Sequence, residues 1–321
     1  MSLMQVRDLR VEFPLPRPRP FAPRPVLQAV RGVSFDVAEG RALGIVGESG
    51  SGKTTTAMAA IRLQEAASGQ VLFEGTDLLG LDAAQMRARR RDIQLIFQDP
   101  YSSLNPRARV GDIVREPLDL LGVGSVSERG ARVRDLFAKV GLREDQMALF
   151  PHQFSGGQRQ RISIARALAP GPKLLVCDEP VSALDVAIQA QILNLLARLK
   201  AELGLAYLFI SHDLGVVRHV CDEVAVMYLG QIVERAPVGD LFARAQHPYT
   251  QALLAAAPSL GRRRSRGFKR PLSLRGDPAS PSAPPPGCAF AARCPKAAAV
   301  CRDVPPALDG AGHQVACHFP G

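Results

Sequence analysis

One eight-residue run constrains the fold of this chain more than any other feature: Gly47-Glu48-Ser49-Gly50-Ser51-Gly52-Lys53-Thr54. It follows the apolar stretch "ALGIV" and precedes "TTAMAAI", so a strand, a glycine loop and a helix stand in immediate succession. Gly-x4-Gly-Lys-Thr in that setting folds the backbone N–H groups inward around a phosphate, because a Cβ at the glycines would obstruct the approach. Lys53 reaches the outer phosphate oxygens, and the Thr54 hydroxyl, with Thr55 beside it, suits Mg²⁺. A plain glycine turn carrying a surface lysine leaves the flanking strand unexplained.

The stretch "LLVCDEP" supplies a second element. Its apolar residues read as a buried strand that carries Asp178 to the C-terminal edge of a sheet, where ligands gather in open α/β folds. Asp178 there can hold Mg²⁺, and Glu179 can orient and deprotonate an attacking water. Two adjacent acids could instead cap a helix. Gln98 ends the strand "IQLIF" and His212 follows the strand "AYLFIS", which points both toward the same edge. An amide there completes a Mg²⁺ shell, and an imidazole steadies a γ-phosphate in the transition state.

A third element, "FSGGQRQRISIARAL", begins a helix without a strand before it. Ser155 is the predicted N-cap, with Gly156, Gly157 and Gln158 in the first turn. A helix N-terminus preceded by pliant backbone is an anion site, so the chain carries two phosphate-reading elements about a hundred residues apart.

Taken with "CDEP" at 177–180 and "SALD" at 182–185, these elements resemble an ATP-binding cassette ATPase in order and spacing, over about residues 1–255. The resemblance implies a P-loop NTPase (RecA-like) α/β core with an antiparallel β subdomain and an α-helical subdomain. It also implies that Ser155, Gly156, Gly157 and Gln158 close over ATP held by a partner subunit in a head-to-tail dimer, with Asp185 at the seam. An aromatic residue upstream of the loop stacks on adenine in that family; Phe21 is the first choice here and Phe13 the second. "FQDPYSSLNPR" at 97–107, "HPYTQALL" at 247–254 and the tail beginning "PPPGCAF" are similar to the dipeptide/oligopeptide permease branch. That branch implies a heterodimer with a second related ATPase and two composite ATP sites. It also implies two membrane-spanning permease subunits, an extracytoplasmic peptide-binding protein, and a peripheral place on the cytoplasmic face of the membrane. The segment 99–120 corresponds to the groove that receives a permease's cytoplasmic helix. Nickel and glycopeptide importers have similar ATPases, and the cargo is set by the other subunits.

The chain of 321 residues is 46% hydrophobic and carries a net charge of +10. The longest apolar run, "LGLAYLFI", is far too short to span a bilayer. The opening "MSLMQVRDLRVEF" lacks a secretory pattern, which places the chain in the cytoplasm. The densest basic run, "RRRSRGFKR" at 262–270, reads either as a contact with nucleic acid or anionic lipid, or as a solvated linker. It lacks the interleaved aromatics of a base-stacking surface, and no nucleic-acid partner is expected. A soluble cassette ATPase acting on nucleic acid is the competing class; such proteins usually carry two cassettes or long inserted arms.

Alternating strands and helices predict a mostly parallel sheet. Strands are predicted at 1–13, 33–38, 71–73, 93–97, 173–178, 206–211 and as a pair over 223–235 turning at Gly230. Helices are predicted at 82–91 and 186–203 and through 101–150, one of these ending at Gly141. The expected division is a nucleotide-binding domain at 1–257 (helical subdomain about 99–165), a Pro/Arg-rich linker at 258–287 and a small cysteine-containing extension at 288–321.

Cys177 and Cys221 read as small core residues. Cys288, Cys294, Cys301 and Cys317 are separated by five, six and fifteen residues. A segment this short, poor in bulky apolar groups, needs a staple. Four thiolates suit a 4Fe–4S cluster or Zn²⁺, with His313 and His318 as substitute ligands and free thiols as the remaining reading.

Overall fold

In the computed structural model, which describes residues 2–17, 19, 24–99, 103–256 and 280–321, the chain divides into two compact units. The first comprises Met1–Leu3, Val37–Ala42 and Gly80–Ile210; the second comprises Met4–Asp36, Leu43–Leu79 and Ser211–Gly321.

The second unit holds an antiparallel sheet in the order β2-β1-β4-β5, formed by β1 (Ser2–Pro14), β2 (Val26–Ala38), β4 (Ser68–Phe73) and β5 (Thr76–Asp77). The buried side of β1 changes phase along the strand: Met4 and Val6 are followed by Leu9 and Val11. One extra residue moves every later side chain to the other face, and the pairing of β1 with β4 shifts register between Arg7 and Arg10. The neighbouring β2 slips at Gly32, between buried Val30 and Val33. A Cβ on Gly32 would stand 2.6 Å from Asp8 Oδ1. The strand expected at 33–38 begins at Val26, because the residues before Val30 are only partly buried and show no alternation.

A further set of strands in this unit runs β11-β10-β9-β3. Here β3 (Ala42–Val46) pairs in parallel with β9 (Glu223–Tyr228), and β9 turns back into β10 (Gln231–Pro237). The turn has two residues, Leu229 at φ 44° and Gly230 at φ 78°, both left-handed as a tight hairpin demands. The tail adds β11 (Gln314–Val315) antiparallel to β10. Within this set the β3–β9 pair is parallel, as expected of the main sheet, and the β9–β10 and β10–β11 pairs are antiparallel.

The first unit is built on parallel β6 (Ile93–Ile96), β7 (Leu174–Asp178) and β8 (Ala206–Ser211). Every residue of β7 and β8 is buried, so both read as unbroken apolar runs, as a strand covered on both faces must. Around them lie α2 (Ala83–Arg89), α3 (Val110–Leu120), α4 (Val126–Lys139), α5 (Gly156–Leu168) and α6 (Val186–Leu203). α4 starts on a reciprocal cap between Ser125 and Glu128 and buries Val133, Leu136 and Phe137. It stops before Gly141, whose φ of 74° suits glycine. α6 spans the residues predicted for it and ends at Gly204, φ 64°. In the second unit, α1 (Lys53–Ala60), α7 (Leu214–Val220), α8 (Val238–Arg244), α9 (Pro248–Ala256) and α10 (Ala299–Asp303) complete the helices named here.

Candidate nucleotide site

The phosphate loop leaves the sheet where Val46 of β3 pairs with Val226 of β9. It enters α1 through Gly52, whose φ of 99° is left-handed. A Cβ there would lie 2.4 Å from the Ala29 carbonyl oxygen, so glycine is required twice over, by conformation and by space. No side chain caps α1, and its first turn holds no acid, which leaves its amide dipoles suited to an anion.

Lys53 is buried, and its ammonium donates to the carbonyls of Gly47 and Glu48, at 2.9 Å each. The Ser51 hydroxyl is buried with no hydrogen-bond partner, although its carbonyl accepts from Gly230 N at 2.9 Å. An orphaned donor beside a buried ammonium fits a loop built to receive phosphate. Thr54 is exposed. Glu48 is held by its backbone N–H, which donates to Tyr249 Oη at 2.9 Å, and by its carboxylate, which Arg293 grips at 2.9 and 3.2 Å.

In the first unit, β7 delivers Asp178, 5% exposed, to its C-terminal end opposite Ile210 of β8. Glu179 follows at φ 45°, a left-handed conformation for a residue with a side chain. Its N–H donates to the Ile210 carbonyl at 3.0 Å, and its own carbonyl accepts from Ser182 N and Oγ. Gln98 Nε2 donates to Glu179 Oε2 at 3.2 Å, so two residues singled out separately in the sequence meet. His212 follows the end of β8 and is exposed.

Ser155 caps α5 through a reciprocal pair: its hydroxyl accepts from Gln158 N at 3.3 Å, and Gln158 Oε1 accepts from Ser155 N at 3.0 Å. No acid lies in the first turn. A Cβ on Gly157 would meet Ile188 Cγ2 of α6 at 2.6 Å, so this close packing needs glycine. Buried Arg159 anchors the preceding turn, donating from Nε to the Pro151 carbonyl at 2.7 Å. Asp185 stands exposed at the head of α6 without a capping hydrogen bond. Phe13 is half-buried in β1; Phe21 and the basic run at 262–270 lie outside the described residues.

Cys177 and Cys221 are buried core residues. In the tail, Cys288 N donates to the Cys301 carbonyl at 2.8 Å. Burial pushes the thiols of Cys288, Cys294 and Cys317 up, and charge on neighbouring tail cysteines adds to the rise. The four thiols are thus within electrostatic reach of one another. Among the described residues, however, no three His, Cys, Asp or Glu side chains are arranged to hold a metal ion. His313 Nε2 lies 2.7 Å from Glu234 Oε1, and His318 Nε2 donates to the Val304 carbonyl at 2.9 Å, while His313 Nδ1 is buried without a hydrogen-bond partner.

Sequence reading missed the two side chains that grip Glu48. "HPYTQALL" was visible, but only as a resemblance, and Arg293 has no signal beyond its place beside Cys294.

The fold and loop define an ATP-binding cassette ATPase. Residues 30–182 match the ABC transporter family, and residues 233–301 match the oligopeptide/dipeptide transporter C-terminal region. The oligopeptide transport ATP-binding protein AppF of Bacillus subtilis is 46% identical, over 99% of this chain and 97% of its own. The dipeptide transport ATP-binding protein DppF of Escherichia coli is also 46% identical, over 98% of this chain and 93% of its own. Among solved structures, a dimeric ATP-binding cassette in a post-hydrolysis state, bound to ADP and phosphate, is 27% identical with a TM-score of 0.65. It covers 73% of this chain and 98% of its own. The chain belongs to the ABC transporter ATP-binding family and carries the C-terminal region of its oligopeptide/dipeptide branch.

Proposed function

We propose that this chain, an ATP-hydrolysing subunit of a peptide importer, works as one half of a head-to-tail pair of cassettes. The observation that carries the nucleotide reading is the loop at 47–54, where a buried Lys53 rests on its own loop carbonyls beside an orphaned Ser51 hydroxyl. Residues Gly47 to Thr55 hold the phosphates of ATP, and Phe21 is the proposed adenine stack. The oxygen donors Thr54, Gln98 and Asp178 suit a hard cation, and they would hold Mg²⁺, which when bound neutralises phosphate charge. Glu179 takes the proton of the attacking water, Gln98 orients that carboxylate, and His212 hydrogen-bonds the γ-phosphate.

The capped head of α5 supports the second half of the reading. Ser155 completes the turn internally, and the amide dipoles of Gly156 and Gly157 face a γ-phosphate held by the partner cassette. Asp185 lies at the seam. Two ATP molecules then join the cassettes, and hydrolysis lets them part. The names of the relatives support peptide cargo; two permease subunits and an external binding protein complete the proposed importer. The chain works at the cytoplasmic face of the membrane; among the described residues no helix is long and apolar enough to cross one. The division at 257 and 287 belongs to the same proposal. In the tail, Cys288, Cys294, Cys301 and Cys317 take iron–sulfur or zinc only if their side chains turn toward one another. Metal analysis of anaerobically purified protein decides that point.

The test of the pair is turnover. The purified chain should hydrolyse ATP slowly and speed up when its partner cassette and permeases are added in vesicles. Full activity of the isolated chain at dilution would overturn the shared-site reading.

A further inference from the structure

Glu48 and Arg293 are 245 residues apart in sequence, yet the Arg293 guanidinium closes on both Glu48 carboxylate oxygens, at 2.9 and 3.2 Å. Arg293 is 7% exposed and Glu48 28%, so this is a largely dry, two-pronged pair rather than a surface contact. The guanidinium also lies over the Tyr228 ring, 5.8 Å from its centroid. Phe290, three residues earlier in the tail, packs edge-on against Tyr228 and tilted against Tyr249. The tail is itself fastened: β11 pairs with β10, and His313 meets the buried Glu234 carboxylate.

Glu48 is the pivot of the phosphate loop. Its N–H is spent on Tyr249 Oη, and its carbonyl accepts from Lys53 Nζ and from Ser51 N at 3.2 Å. Whatever holds the Glu48 side chain therefore sets the course of the main chain that cradles phosphate and the seat of the lysine that grips it. We propose that Arg293, in the cysteine-bearing tail, is a positioning residue for the nucleotide site: through Glu48 it holds the phosphate loop in its binding shape. This rests on reading residues 47–54 as the nucleotide loop. Arg293 acts before chemistry, on the loop that binds, so its loss weakens ATP binding and spares the chemical step.

The test uses the full chain reconstituted with its partner cassette. Arg293→Ala should raise KM for MgATP roughly tenfold, with kcat within about twofold. Arg293→Lys keeps the charge without the fork and should fall between. Glu48→Gln should raise KM similarly, and the double variant should be no worse than either single one. If Arg293→Ala does not fold, Arg293→Lys and Glu48→Gln carry the comparison, with equilibrium binding of MgATP as the readout. Unchanged KM, additive losses, or a fall in kcat alone would overturn the proposal. A wild-type chain that fails to bind MgATP removes the nucleotide reading and this inference with it; binding that ignores Arg293 removes the inference alone.

Discussion

Gln98 and Glu179 meet through a single 3.2 Å hydrogen bond, amide to carboxylate, between the ends of adjacent parallel strands. The contact depends on an unusual backbone. Glu179 at φ 45° costs on the order of 1–3 kcal/mol relative to an ordinary conformation. Its N–H on Ile210 and its carbonyl on Ser182 hold it there. This left-handed residue follows the end of β7 at Asp178, and its carboxylate meets the amide of Gln98.

Replacing the carboxylate while keeping its shape separates binding from turnover. Glu179→Gln should leave MgATP affinity within about threefold and cut kcat by at least about 10²-fold, the usual worth of a positioned base. The same variant should accumulate as an ATP-bound pair with its partner cassette, visible by size-exclusion chromatography. Near-normal hydrolysis would refute the base assignment.

Shortening the amide tests the partner. Gln98→Ala removes one hydrogen bond from the Glu179 carboxylate, and a base out of line loses rate more than affinity. A kcat lower by roughly tenfold is expected, with a smaller change in KM. Gln98→Glu should do worse, since two carboxylates at 3.2 Å repel. ATPase assays over a range of Mg²⁺ concentrations distinguish lost positioning from lost metal affinity.

How much of this was legible follows from the kind of interaction involved. β8 and α6 came out at their predicted bounds, and β7 within one residue, because complete burial and amphipathic spacing are local signals. Ser155 was legible as an N-cap because that signal is contiguous with the helix it starts, whereas the return bond from Gln158 is seen only in the structure. The start of β2 gave no alternating signal, because its residues before Val30 are only partly buried. The left-handed Glu179 is imposed by Ile210 and Ser182, and no local residue preference announces it. Arg293 on Glu48 is a contact across most of the chain, and only the packed tail creates it.

The cap of α5 carries two roles that respond differently to substitution. Ser155→Ala removes one hydrogen bond to Gln158 N and should lower stability by about 1 kcal/mol, a small shift in melting temperature. If the head of this helix also reads phosphate in the partner's site, ATP hydrolysis by the assembled pair should drop far more than that loss explains. Activity that tracks stability alone would confine Ser155 to capping.

His247 gives the fold an acid limit. It is 1% exposed, and burial pushes its pKa down to about 4. Its Nδ1 accepts from Tyr249 N at 3.0 Å, a role open only to an unprotonated nitrogen, and the His247 backbone N–H donates to buried Glu234. The folded pKa lies below the unfolded value of about 6.5, so the unfolded chain binds the extra proton first. The neutral ring's contribution is therefore complete above pH ~6.5 and is lost as pH falls toward about 4, a swing on the order of 3 kcal/mol. Melting temperature should accordingly drop between pH 7 and pH 5. In His247→Asn, whose amide oxygen can accept from Tyr249 N without titrating, the starting stability should be lower and the slope over that interval shallower. Parallel slopes in the two proteins would assign the acid sensitivity to other groups.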